Sequence, residues 1–191
     1  MKTPAYSKIN NHHILPDAVF KASPHFNDRP NVNNINLLVI HCISLPAEQF
    51  GLKYIDDLFL GCLDCDADAS FNALSGLRVS AHVLIRRTGE VVQFVPFDKR
   101  AWHAGVSCFK GLDNCNDFSI GIELEGADNI EYEAIQYQQL AKVVRQIQCQ
   151  YPLILNDNIV GHCDIAPGRK TDPGPAFNWD YFFNLLDKEK Q

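Results

Sequence analysis

The chain has no apolar run approaching the roughly 18–20 residues that cross a bilayer, so no helical membrane span is expected. Its opening stretch, MKTPAYSKINNHHILPDAVF, also lacks the run of about seven or more apolar residues that forms the core of a secretory signal. Internal repeats, low-complexity tracts and linker-like segments are missing too, which argues against repeat architectures and strings of domains. Positive charge is in short supply. With 17 Lys and Arg against 23 Asp and Glu, the net charge is −6. General affinity for nucleic acid or anionic lipid is therefore not expected, and an acidic ligand would need a locally basic site. The cysteines number seven, an odd and scattered set unlike a secreted disulfide framework. These features lead us to expect a cytoplasmic protein; nothing signals an oligomer, so a monomer is the default.

What is present fits one domain over residues 1–191, with 1–24 as an extended lead-in. The chain is 191 residues long, 46% hydrophobic and 21% charged, enough for a sizeable core. INLLVIHCIS (35–44) is a short branched apolar run and reads as a strand buried on both faces. GLKYIDDLFLG suggests a short helix. RVSAHVLIRRTGEVVQFV reads as two strands turning at Thr88-Gly89, with Val79, Ala81, Val83 and Ile85 on one face. In FSIGIELEG, Ile120, Ile122 and Leu124 alternate with Gly121, Glu123 and Glu125. Helical spacing of Ile135, Leu140, Val143, Val144 and Ile147 ends at Pro152, and ILNDNIVGH reads as a further strand. Asn178 is placed to cap a last helix with Trp179, Phe182, Phe183 and Leu186 along one stripe. Adjacent strand pairs read as antiparallel. The fold class is α/β (mixed α+β), a single domain with a central mixed sheet flanked by helices.

His41 ends the apolar run Leu37–Ile40, and His162 follows Ile159-Val160-Gly161, so both lie at strand exits. Taken singly, each is as well explained as a satisfied core histidine. With Asp172 the balance changes. Two neutral imidazoles and a carboxylate form a sufficient set of zinc ligands, and three protein ligands leave a fourth position for water. The Gly and Pro residues of VGHCDIAPGRKTDPGP restrict the loop that returns Asp172 toward His162. Hydrolysis would also need a base and an oxyanion-stabilising cation. Glu123 and Glu125 share the polar face of one strand, and alternation leaves both open as the base. Lys170, two residues before Asp172, would project to the same side in an extended segment; otherwise it is a solvated loop lysine.

The cysteines are better read as incidental. Cys62 and Cys65 form a CxxC without a second pair, in an acidic loop. Cys163 adjoins His162, but neighbours in an extended chain point to opposite faces, which disfavours a thiol–imidazole pair.

HCISLP, RVSAHVLIRRTGEVVQFVPFDKRAWHAGVS, NDFSIGIELEG and GHCDIAPGRKTDPGP resemble the zinc-dependent N-acetylmuramoyl-L-alanine amidases of the peptidoglycan-recognition type, from about His25 to Leu186. The resemblance implies that amidase fold, a zinc ion held by His41, His162 and Asp172, Glu123 as general base, and Lys170 as the oxyanion-stabilising group. The pattern departs at Cys42, where Asn is expected in close relatives. The implied reaction cleaves the amide between (1,6-anhydro)-N-acetylmuramic acid and L-alanine in small muropeptides imported during wall turnover. Such enzymes also lower the muropeptides that signal β-lactamase induction. For substrate binding, Arg78 is expected to meet the acidic stem peptide, and Trp102 and His103 to lie against the sugar or the stem.

Overall fold

The computed structural model describes residues 8–188. In chain order the strands are β1 (Val19–Phe20), β2 (Phe26–Asp28), β3 (Leu37–Ile43), β4 (Val83–Ile85), β5 (Val91–Gln93), β6 (Lys99–Ala101), β7 (Cys108–Phe109), β8 (Leu112–Asp113), β9 (Ser119–Glu125) and β10 (Ile159–Gly161). The helices are α1 (Tyr54–Phe59), α2 (Ala134–Gln150), α3 (His162–Ile165) and α4 (Trp179–Lys188). Six strands form one sheet in the order β1-β5-β4-β9-β3-β10. β4, β9, β3 and β10 run parallel to one another, and β5 pairs antiparallel with β4. The expected mixed sheet is present and the chain-adjacent pair β4–β5 is antiparallel as its sequence suggests, but the centre of the sheet is parallel. The partners come from distant parts of the chain, which local patterning cannot register.

Burial on both faces explains why β3 is almost wholly apolar. Leu38 and Ile40 pack with Ile120, Ile122 and Leu124 of β9 under α2 and α4, where Leu140, Val144, Ile147, Phe182 and Leu186 are buried. Each such side chain contributes roughly 1.5–3 kcal/mol when fully buried. Leu37 and Val39 point to the other face, beneath Ala104, Phe118 and Ile165. His41 continues that second row at the C-terminal end of β3. Gln136 at the start of α2 donates to the carbonyls of Glu125 and Ile85 and so fixes the helix to β9 and β4. Asn178 accepts from Tyr181 N at 2.9 Å, capping α4 as its sequence suggested.

Four expectations need correction. Val79 and Ala81 pack on the α1 side of the sheet, whereas Val83 and Ile85 pack on the α2 side. The chain bends at His82, and the alternation of its own strand changes parity there; opposite the bend, the His82 carbonyl accepts from both Phe94 N and Val95 N, a bulge in the partner strand. His162 and Cys163 do not lie in extended chain but share the helical turn α3. Ile135 is 38% exposed and lies off the buried stripe of α2. Within the stretch read as a lead-in, Ile9 and Leu15 are buried in the α2-side core and Val19–Phe20 pairs with β5; residues 1–7 lie outside the described residues.

Candidate metal centre

Parallel pairing brings the chemistry to one edge. β3 and β9 are in register so that His41 stands opposite Glu123, with both side chains on the same face. β10 runs parallel on the far side of β3 and ends at Gly161, which delivers His162 as the first residue of α3. Asp172 closes the group from the following loop, held where its carbonyl accepts from Cys163 N and where Tyr132 donates to Pro173 O. The site thus lies at the carboxyl ends of parallel strands, where open α/β sheets place their ligands.

His41 Nδ1, His162 Nδ1 and Asp172 Oδ2 form a nearly equilateral triangle with sides of 3.0, 3.1 and 3.0 Å. Among the described residues this is the one group of three or more His, Cys, Asp or Glu side chains able to hold a metal ion. The other nitrogens of both rings are already committed. His162 Nε2 donates to the carbonyl of Ala104, and His41 Nε2 lies 2.9 Å from His103 Nδ1. A neutral His162 therefore has a bare lone pair at Nδ1. Burial pushes the His41 pKa down to about 4, partly offset by Asp172, so its imidazole is neutral near neutral pH. Burial acts to raise the Asp172 pKa, but His162 and His41 outweigh it and hold the carboxyl below the usual range. Lone pairs converging at 3 Å call for a cation between them. A tetrahedral zinc ion with bonds of about 2.0–2.1 Å sets its ligands about 3.3 Å apart, which this triangle nearly meets. The donor set fits.

A cavity of roughly 270 Å³ opens over the triangle, lined by Glu123, Lys170, Trp102 and His103 beside apolar side chains such as Leu58 and Val79. Glu123 Oε2 is buried there without a hydrogen-bond partner, and burial, together with Asp172, raises its pKa well above the carboxylate range. Lys170 is exposed at the cavity wall and opposes that shift. Glu125, the other carboxylate on the strand face, accepts from Gly51 N at 2.7 Å and Arg87 N at 3.1 Å. Those bonds tie it to the surrounding chain.

Trp102 is half-buried at the cavity, donating to Asn27 Oδ1 and stacked beside His25. Arg78 is exposed and lines an adjacent smaller cavity that shares Leu58, Leu74 and Leu77 with the main one. His103 borders the main cavity, but its ring nitrogens are engaged by His41 and by Ser119 Oγ at 3.2 Å. Cys42 donates to Asp128 at 3.4 Å, and burial pushes its thiol pKa upward, which keeps it protonated. All seven cysteines are free. Arg29 and Asn116 escaped the sequence reading. Arg29 is buried and donates to the carbonyls of Phe97, Asn116, Asp117 and Ser119. Asn116 Oδ1 accepts from His103 N and Ala104 N. No local pattern marks either residue, because their partners are backbone groups from distant segments.

A mixed sheet bearing two histidines and an aspartate at its carboxyl edge, with a carboxylate and a lysine at the same cavity, has the form of a hydrolase built around one metal ion. The family model for N-acetylmuramoyl-L-alanine amidase matches residues 31–175, and the chain belongs to that amide-hydrolase family. The 1,6-anhydro-N-acetylmuramyl-L-alanine amidase AmpD of Escherichia coli (strain K12) is 59% identical over 167 residues, spanning 87% of this chain and 91% of that protein. A crystal structure of a selenomethionine derivative of AmpD superposes with a TM-score of 0.90 at 55% identity, covering 92% of this chain and 98% of that one. The E. coli amidase AmiD, solved with the substrate anhydro-N-acetylmuramic acid-L-Ala-D-γ-Glu-L-Lys, has a TM-score of 0.57 at 33% identity, covering 80% of this chain and 57% of its own. No helix among the described residues is long and apolar enough to cross a membrane.

Proposed function

We propose that the chain is a zinc-dependent amidase that cleaves the bond between (1,6-anhydro)-N-acetylmuramic acid and L-alanine in soluble muropeptides. It works in the cytoplasm during peptidoglycan recycling, and by removing such fragments it lowers β-lactamase induction. One observation carries the reading: three lone-pair donors meet at 3.0–3.1 Å while the outer nitrogens of both histidines are occupied. His41, His162 and Asp172 would hold the ion. Bound there, zinc supplies Lewis acidity that brings the pKa of water to roughly 7.

The remaining steps belong to the protein. Glu123, whose carboxylate form Lys170 and the charge of a bound ion would both favour against burial, takes the proton of the attacking water on its unpartnered Oε2 and returns it to the departing alanine nitrogen. Lys170 Nζ faces the oxygen that gains charge when the carbonyl becomes tetrahedral. Arg78 meets a carboxylate of the acidic stem peptide, and the Trp102 ring lies against the sugar or stem. The apolar wall restricts water around the reacting amide, which strengthens these polar interactions.

The test pairs metal analysis with mass spectrometry of products from an anhydro-muropeptide. One zinc per chain and release of a free L-Ala-peptide are expected. Glu123→Ala should keep its zinc and lose about 10²–10⁴-fold in turnover. Full turnover in that variant, or fragment binding with no cleavage by the wild-type protein, would overturn the reading.

A further inference from the structure

We infer that His103 is a positioning residue for the metal centre and that the segment His103-Ala104 sets the orientation of both histidine ligands. This rests on the zinc reading above. His41 Nε2 lies 2.9 Å from His103 Nδ1, and the rings meet edge to face at 86°. With Nδ1 of His41 turned to the metal, its proton is on Nε2 and is donated to His103 Nδ1. The His103 proton is then on Nε2 and is donated to Ser119 Oγ, 3.2 Å away. The next residue does the same work for the other ligand, since the Ala104 carbonyl accepts from His162 Nε2 at 3.0 Å.

The segment has its own supports. Asn116 Oδ1 accepts from His103 N at 3.2 Å and Ala104 N at 2.8 Å. Arg169 Nη2 donates to the Ala104 carbonyl at 2.6 Å, and Arg29 ties down Asn116 O and Ser119 O. Space for the ring comes from Gly121, where a Cβ would lie 2.5 Å from His103 Cγ and Nδ1. A neutral acceptor behind a metal-bound imidazole fixes the ring and its tautomer, and loss of such partners typically weakens metal binding 10–100-fold. A ring whose two nitrogens are both committed inward offers no free nitrogen to a substrate.

The experiment measures zinc dissociation constants by chelator competition for folded wild type, His103→Ala, His103→Asn and His103→Gln. His103→Ala is expected to bind zinc about 10–100-fold more weakly. Asn places an acceptor near the Nδ1 position and should recover most of that loss, whereas Gln reaches toward Ser119 and should not. Wild-type affinity in His103→Ala, or equal weakening by Asn and Ala, overturns the inference. Should His103→Ala not fold, ¹⁵N spectroscopy of the zinc-loaded wild type decides: a bare Nδ1 and a protonated Nε2 on His103 support the arrangement, and the opposite tautomer refutes it. Wild-type protein that takes up no zinc would instead defeat the zinc reading itself, a failure visible before any variant is compared.

Discussion

Gly121→Ala isolates the steric part of this arrangement. Gly121 lies inside β9 and is absent from the glycines with positive φ, so alanine fits its backbone. The nearest obstacle is the His103 side chain. An added Cβ would sit 2.5 Å from His103 Cγ and Nδ1 and 2.7 Å from Cε1, where ordinary contact begins at 3.4 Å. The ring must retreat by about 0.9 Å, but it is gripped at both nitrogens, so its hydrogen bond to His41 lengthens or breaks. Overpacking of this size costs about 1–3 kcal/mol. Misplacing a metal ligand should add a loss of about tenfold or more in zinc affinity. Urea unfolding of the zinc-free protein reads the first effect, and chelator competition reads the second. If His103 is the obstacle, Gly121→Ala combined with His103→Ala should be no less stable than His103→Ala alone, a non-additive result between touching residues. Simple addition of the two losses, or a Gly121→Ala protein with unaltered stability and zinc affinity, would refute the reasoning.

Glu125→Ala leaves Gly51 N and Arg87 N without their acceptor, so urea unfolding should show a loss of about 2–4 kcal/mol with zinc content and turnover per folded molecule unchanged. A collapse of turnover like that of Glu123→Ala would show that the wrong carboxylate had been assigned. Burial, reinforced by Arg29, holds the His82 pKa well below 6.5 in the fold. The corresponding stability is intact above pH 6.5 and declines as pH falls below it, because only the unfolded chain takes up the proton, at up to ~1.4 kcal/mol per pH unit. His82→Gln should flatten the pH dependence of unfolding on the acid side of 6.5; an unchanged slope would exclude His82 as a source. Chelation should abolish amide cleavage and lower the Tm, by about 10 °C if zinc is normally present near a thousandfold excess over its Kd, and added zinc should restore both. A Tm indifferent to chelator would place the ion outside the folded structure's stabilising contacts.

The parts of this molecule that could be read in advance are those where one residue's neighbours along the chain determine its setting. The alternation of FSIGIELEG placed Glu123 and Glu125 on a polar face, and the apolar run before His41 announced a strand exit. Asn178 announced a helix start. What could not be read depends on parity and pairing across distance. The bend at His82 turns Val79 and Ala81 to the other side of the sheet from Val83 and Ile85. Glu125 looks equivalent to Glu123 until Gly51 and Arg87 arrive to occupy it.

The two carboxylates also show how one strand face separates structural from chemical roles. Both sit in β9 two residues apart, on the same side. Glu125 is 1% exposed, with both oxygens bonded to backbone N–H groups and Arg86 Nη1 3.5 Å away, so its charge is compensated. Glu123 is opposite His41, and its buried oxygen has nothing to bond among the described residues. An unpaired buried carboxyl costs stability, on the order of 1–3 kcal/mol, and a purely structural position gains nothing from it. Beside three converging metal donors, that free oxygen suits the proton-accepting role proposed for Glu123 and denied to Glu125.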